Sequence, residues 1–154
     1  LPNKTSEAVK KELDNIEKII GTELFKRIFK CILTDNGGEF QRPEELETSI
    51  DGSKRCWIFY CDANRSDQKA KVEKNHEYIR YIIPKGTSMD NYDQSDIDLM
   101  MSHINSTARE VLNFAIPFDM ASIYLGMDTM KKLNFSKIHP DNIILKPYLI
   151  NKKK

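Results

Sequence analysis

An α/β or α+β layer with too few strands is the fold class that the order of elements predicts, and three observations carry it. The chain opens with apolar residues at helical spacing, only residues 30–34 and 55–61 have strand character, and helical patterns return from Ser66 onward. A two-stranded sheet is marginal in water by itself, so helices are expected to cover it. The 154 residues suit one domain and hardly two, and they hold neither an internal repeat nor a low-complexity segment.

Asn3, Thr5 and Ser6 offer N-caps to a first helix whose apolar residues Val9, Leu13, Ile16, Ile19 and Ile20 recur at helical spacing, and Gly21 stops it. A short second helix follows, with Leu24, Phe25, Ile28 and Phe29 on one side. Lys-Cys-Ile-Leu-Thr at 30–34 reads as a buried strand, broken by Asp35-Asn36-Gly37-Gly38. Residues 41–54 are polar and contain Pro43 and Asp51-Gly52, which predicts a loop or a small excursion. Arg55 to Cys61 alternates and carries Trp57, Phe59 and Tyr60, a second strand by propensity. From Ser66 to Ile83 the pattern is helical, with Val72, His76, Ile79 and Ile83 as one stripe and Pro84 as its end. Ser95 is expected to cap a helix that turns Ile97, Met100, Met101 and Ile104 inward. Pro117 opens another through Tyr124, and Gly126 to Leu133 makes one more short helix.

Charged residues at 31% and hydrophobic ones at 40% exclude a disordered tail, and no apolar run is long enough to span a bilayer. Nothing at the N-terminus reads as a signal peptide. Cys31, Cys56 and Cys61 are odd in number and not at zinc-finger spacing, which predicts reduced thiols in small apolar strand positions and hence a cytoplasmic protein without a membrane partner. A net charge of +1 gives no global pull toward a polyanion. Lys69, Lys71, Lys74, Arg80 and Lys85 nevertheless crowd one stretch, and Lys152 to Lys154 end the chain. Such runs are more often a solvated face than a DNA footprint, so the patch counts only beside other observations. The start at Leu1, without a methionine, is expected of a cut piece, a processed product or part of an interrupted reading frame.

Two acids stand out. Asp35 falls at the carboxyl end of a predicted strand, where α/β sheets collect ligands and catalytic groups, although Asp-Asn-Gly is equally ordinary turn chemistry. Glu73 lies on the predicted helix beside the apolar stripe, and by itself it reads more readily as a surface acid or a partner of Lys69. Together a strand-end Asp and a helix Glu suit Mg²⁺, which takes one or two carboxylates and completes its octahedron with water and phosphate oxygens. Two such ions about 4 Å apart activate a water or 3′-hydroxyl and stabilise the leaving oxygen of a phosphodiester. That chemistry wants a third carboxylate. Asp14, Glu17 and Glu23 are on amphipathic helices and do not supply one at a strand. The Glu-x-x-His pattern of Glu73 and His76 occurs once, since Met100 and Ser136 precede His103 and His139 by three, so a di-iron bundle fails. Neither a nucleophile elbow nor a glycine-rich phosphate loop is present.

Leu33-Thr34-Asp35-Asn36-Gly37-Gly38-Glu39-Phe40 is similar to the Thr-Asp-x-Gly-x-Glu-Phe signature around the second acid of the DDE transposase and retroviral-integrase superfamily. Phe59-Tyr60-Cys61-Asp62, Gln68-Lys69, Val72-Glu73-Lys74-Asn75-His76-Glu77 and Ile79-Arg80 resemble the block around its third acid. Pro84-Lys85-Gly86-Thr87, Ile104-Asn105-Ser106-Thr107, Arg109, Leu112-Asn113 and Pro117 extend the match and point to the insertion-sequence-thirty group of bacterial transposases. The resemblance covers residues 1 to about 124.

The resemblance implies an RNase H-like integrase core over 1–124, lacking its first three strands, followed over 125–154 by a helical extension and basic tail. It implies that Asp35 and Glu73 are catalytic and metal-holding, with Mg²⁺ or Mn²⁺ as the ion. Lys69, Lys74 and Arg80 are implied to contact DNA, the partner at transposon ends and target, on which such proteins act as homo-oligomers. The reaction implied is cleavage at a transposon end followed by strand transfer. Ala63 and Ala108 depart from the group's usual Pro, and Asn64 and Asp67 from aromatic residues. With the first acid also absent, a truncated and inactive form is expected. A non-catalytic DNA-binding or subunit-interaction module is the alternative, and a helical adaptor with a chance motif is a third.

Overall fold

The computed structural model describes residues 3–62 and 70–150, with side chains in the second stretch from Lys74 onward. The chain divides into two compact units, Leu1–Lys69 and Ala70–Lys154. No helix among the described residues is long and apolar enough to cross a membrane.

The first unit begins with α1 (Ser6–Ile20), capped by Thr5, whose hydroxyl accepts from the Ala8 N–H at 3.2 Å. Gly21, with φ of 87°, ends α1 and leads directly into α2 (Thr22–Ile28). That positive φ is why glycine stands between two abutting helices. Then come β1 (Cys31–Thr34), a 3-10 turn at Gly38–Phe40, α3 (Pro43–Glu47) and β2 (Trp57–Tyr60). The strands pair in parallel, Cys31 opposite Trp57 and Thr34 opposite Tyr60, and the Cys61 N–H extends the ladder to the Thr34 carbonyl at 2.8 Å. Parallel pairing requires a crossover, which the segment containing α3 supplies.

Several expectations are corrected in this unit. Residues 41–54 are not only loop: Pro43 starts α3, and its one buried apolar side chain, Leu46, is fully enclosed. The face that α1 buries is Ala8, Glu17 and Ile20, while Ile19 is exposed. Glu17 faces inward because the buried guanidinium of Arg55 needs a counter-charge, at 3.1 Å from Glu17 and 2.6 Å from Asp14. In β1 only Thr34 is buried, and Leu33, Trp57, Phe59 and Tyr60 are exposed. Of the three cysteines Cys56 and Cys61 are buried as expected, and Cys31 is exposed.

The second unit contains α4 (Ala70–Ile82), α5 (Gln94–Asn105), α6 (Pro117–Leu125) and α7 (Met127–Lys132), with 3-10 turns at Glu110–Leu112, Pro140–Asn142 and Pro147–Leu149. Ile82, Ile83, Met100, Ile104 and Ile150 form its core, with Tyr78, Ile79 and Met101 packed against them. The cap of α5 is Asp93, not Ser95: its carboxylate and that of Asp96 make a reciprocal capping box. His76 is exposed and leaves the expected stripe, of which Val72 lies outside the described side chains; among the described residues the buried ones of α4 lie in its last turns. The irregular segment after α7 is held to α5 by side-chain acceptors. Ser102 and Ser106 accept from the N–H groups of Ser136 and Ile138, and His103 Nδ1 accepts from that of Ile144 at 3.1 Å. A segment without its own ladder thus finds partners for its backbone.

Candidate active site

Asp35 emerges directly after Thr34, the last residue of β1. The parallel register brings the carboxyl end of β2 to the same edge, so Asp35 and Asp62 leave the sheet on one side. Both are exposed to solvent. Asp35 Oδ1 accepts from the Gly37 N–H at 3.3 Å, the local turn that Asp and Asn side chains favour. The turn reading and the strand-end reading of Asp35 therefore hold together.

Gly37 explains part of the signature. A Cβ placed there would lie 2.7 Å from Glu39 Oε2 and 3.1 Å from Asp35 Oδ1. The carboxylates of Asp35 and Glu39 thus converge over a residue whose missing side chain leaves them room. Glu39 entered the sequence argument only as a letter of the motif; its approach to Asp35 comes from the 3-10 turn at Gly38–Phe40. Tyr60, at the end of β2, ties that turn back by donating its hydroxyl proton to the Phe40 carbonyl. Among the described residues no group of three or more His, Cys, Asp or Glu gathers at metal-ligand distances.

The other expected site residues belong to the second unit or to its approach. Glu73 lies on α4, and its side chain is outside the described residues, as is Lys69 altogether. Lys74 is exposed and pairs with Glu77 at 2.7 Å; this hydrogen bond and the charge of Glu77 push the Lys74 ammonium above its ordinary range. Arg80, in the last turn of α4, is exposed. Both cations are exposed and stand in reach of a solvent-borne polyanion.

Sequence reasoning matched Arg109 only as a motif letter, and the structure gives it a setting. It is 7% exposed, stacks its guanidinium 3.5 Å over the Tyr78 ring, and donates from Nη2 to the Ile104 carbonyl at 3.2 Å. With Lys74, Asn75, Asn105, Val111 and Pro117 it lines a cleft of about 480 Å³. Burial lowers its affinity for the proton, and Tyr78 partly offsets that.

Comparison with known proteins gives similar sequences named as an integrase and as insertion-sequence transposases. An open-reading-frame-three protein of Spiroplasma virus SpV1-R8A2 B, which carries the name of an integrase, is 32% identical over 114 residues, 74% of this chain and 33% of that protein. The transposase for insertion sequence element IS1086 of Cupriavidus metallidurans is 27% identical over 95 residues, 62% of this chain and 27% of the relative. Transposase InsI for insertion sequence element IS30A of Escherichia coli is 31% identical over 88 residues, 57% of this chain and 22% of the relative. The chain therefore spans a third or less of the length of these curated relatives. No family model matches it, and no solved structure does.

Proposed function

We propose that this chain, a relative of the insertion-sequence-thirty transposases, carries part of a DDE-type catalytic core with an RNase H-like fold. The core would occupy residues 1–124, and residues 125–154 would extend it with helices and a basic tail. One observation carries the reading. Asp35, inside the Thr-Asp-x-Gly-x-Glu-Phe signature, stands at the carboxyl end of a strand paired in parallel, where α/β sheets place their chemistry.

The substrate class is DNA, and the reaction is cleavage at a transposon end followed by joining to target DNA. Asp35 and Glu73 offer carboxylate oxygens, the donor type that Mg²⁺ or Mn²⁺ takes, and would hold the ion. When bound, the ion supplies positive charge that activates a water or 3′-hydroxyl and steadies the leaving oxygen. Lys69, Lys74 and Arg80 neutralise phosphates and orient the strand, and the protein acts as a homo-oligomer on DNA in the cytoplasm. Two acids carry too little charge to clamp a pair of ions, so the chain by itself joins DNA at no useful rate.

The test is a strand-transfer assay with Mg²⁺ and then Mn²⁺, on the chain alone and joined to the upstream segment of a relative. Joining is expected only in the longer protein, and Asp35→Asn or Glu73→Gln should lower it by roughly a thousandfold or more. Joining that survives both substitutions would refute the assignment. The second reading, a non-catalytic DNA-binding module, is favoured by the exposure of Lys74 and Arg80, which meet phosphate without any metal. Salt-sensitive DNA binding by the longer protein without joining would decide for it.

A further inference from the structure

Two arginines are buried in the described residues, and they are balanced differently. Arg55 is enclosed by the carboxylates of Asp14 and Glu17. Arg109 makes no ion pair among the described residues; there its side chain meets one carbonyl and one aromatic face. A guanidinium has five donors and holds its proton in any protein interior, so burial without a counter-ion is unfavourable. The Tyr78 face compensates only part of that. Among the described residues the one sealed, unpartnered side-chain nitrogen belongs to Arg55, so no nitrogen of Arg109 is both sealed and unpartnered, and Arg109 lines a cleft.

The cleft has the form of a site for an anion on an organic stem. Its lining combines the polar Arg109, Lys74, Asn75 and Asn105 with the apolar Val111 and Pro117. Its volume of about 480 Å³ exceeds what a lone phosphate fills and falls in the usual range for small-molecule sites. The backbone around Arg109 is fixed: its N–H reaches the Ala115 carbonyl at 3.1 Å, and its own carbonyl accepts from Leu112 and Phe114. A planar guanidinium held in place suits bidentate phosphate recognition better than a flexible ammonium does.

We propose that this cleft is a nucleotide subsite in which Arg109 anchors one backbone phosphate of DNA while Val111 and Pro117 receive its sugar. The identity of the ligand rests on the DNA reading above; the demand for an anion rests on Arg109 alone. Lys74 lines the cleft and is exposed, and it can exchange its pair with Glu77 for the same phosphate.

The experiment compares the parent with Arg109→Gln, Arg109→Lys and Val111→Glu, all as the full chain. Inorganic phosphate is titrated against the melting midpoint, and a short labelled DNA, duplex and single-stranded, is bound at several salt concentrations. For the parent, phosphate should raise the midpoint. Arg109→Gln should abolish that rise, weaken DNA binding roughly tenfold or more, and make the salt slope shallower by about 0.9 for duplex or 0.7 for single strands. Arg109→Lys should keep the slope and lose part of the affinity. A folded Arg109→Gln variant that binds DNA with unchanged affinity and slope overturns the subsite and leaves the DNA reading intact. A parent that binds no DNA, yet is stabilised by phosphate through Arg109, overturns the nucleotide as occupant together with the DNA reading. If Arg109→Gln fails to fold, Val111→Glu decides. Val111 is 75% exposed and tolerates the change, and the added carboxylate should weaken DNA binding; unchanged binding overturns the proposal.

Discussion

Arg55→Met is the perturbation from which the first unit should suffer most. In the native protein Arg55 Nε donates to the Leu46 carbonyl at 2.7 Å, and Nη1 meets Asp14 at 2.6 Å and Glu17 at 3.1 Å. Glu17 is 0% exposed and also accepts from the hydroxyls of Thr22 and Ser49. Removing the cation leaves one enclosed and one partly enclosed carboxylate without their counter-charge. Breaking a buried pair in this way costs about 3–5 kcal/mol, against a fraction of a kcal/mol for an exposed one. With a urea m-value of about 1–2 kcal/mol/M, the midpoint should fall by about 2 M or more. The chain has one tryptophan, Trp57, and it belongs to this unit with the Lys54 ammonium 3.0 Å over its ring, so its fluorescence reports this transition selectively. The pH dependence has a defined sign. Burial pushes the Asp14 and Glu17 carboxyls up, but hydrogen bonds and the Arg55 charge more than reverse it, so both lie below their ordinary range. The stability they contribute is then complete above about pH 5 and lost as pH falls through about 4 and below. Arg55→Met should flatten that acid limb. Replacing Asp14, Glu17 and Arg55 together by apolar residues should recover most of the loss. A midpoint within about 0.3 M of the parent, or an unchanged acid limb, would refute the network as the support of this unit.

Two further outcomes follow from burial and exposure. His103 is buried and its burial lowers its pKa, so the fold disfavours its charged form; the second unit should lose stability as pH falls below about 6.5, read by helical ellipticity, and His103→Gln should remove that step. Leu33 and Phe59 expose apolar surface on a sheet that has two strands among the described residues, so the chain alone should self-associate in light scattering. Leu33→Thr with Phe59→Thr should reduce that association; no change would exonerate the sheet.

Much of the architecture is legible in local residues. Thr5 and Gly21 bound α1, Pro117 opens α6, and Gly126 separates it from α7, because caps and φ preferences act within a few residues. The Asp93 cap was hidden by Ser95, since either residue makes an N-cap and only the reciprocal bond to Asp96 selects between them. Helix α3 was hidden because one apolar residue, Leu46, gives no period; packing in the first unit makes it a helix. At the candidate site, Asp35 was legible from its strand end and motif. The approach of Glu39 was not, as it depends on the turn geometry around Gly37.

What the sequence by itself determined is therefore the order of the elements and the placement of Asp35 at a strand end and Glu73 on a helix; the parallel pairing of the two strands came from the structure. The tertiary structure alone decided which charges are enclosed. Glu17, read as a residue of an amphipathic helix, is sealed against Arg55 from 38 positions away, and Arg109 is buried beside Tyr78 without a carboxylate among the described residues. The physical reason is the range of the forces. Helix caps, turns and periodicity are settled by neighbours along the chain, whereas desolvation depends on what the fold brings around a side chain from distant segments, and no local pattern records that.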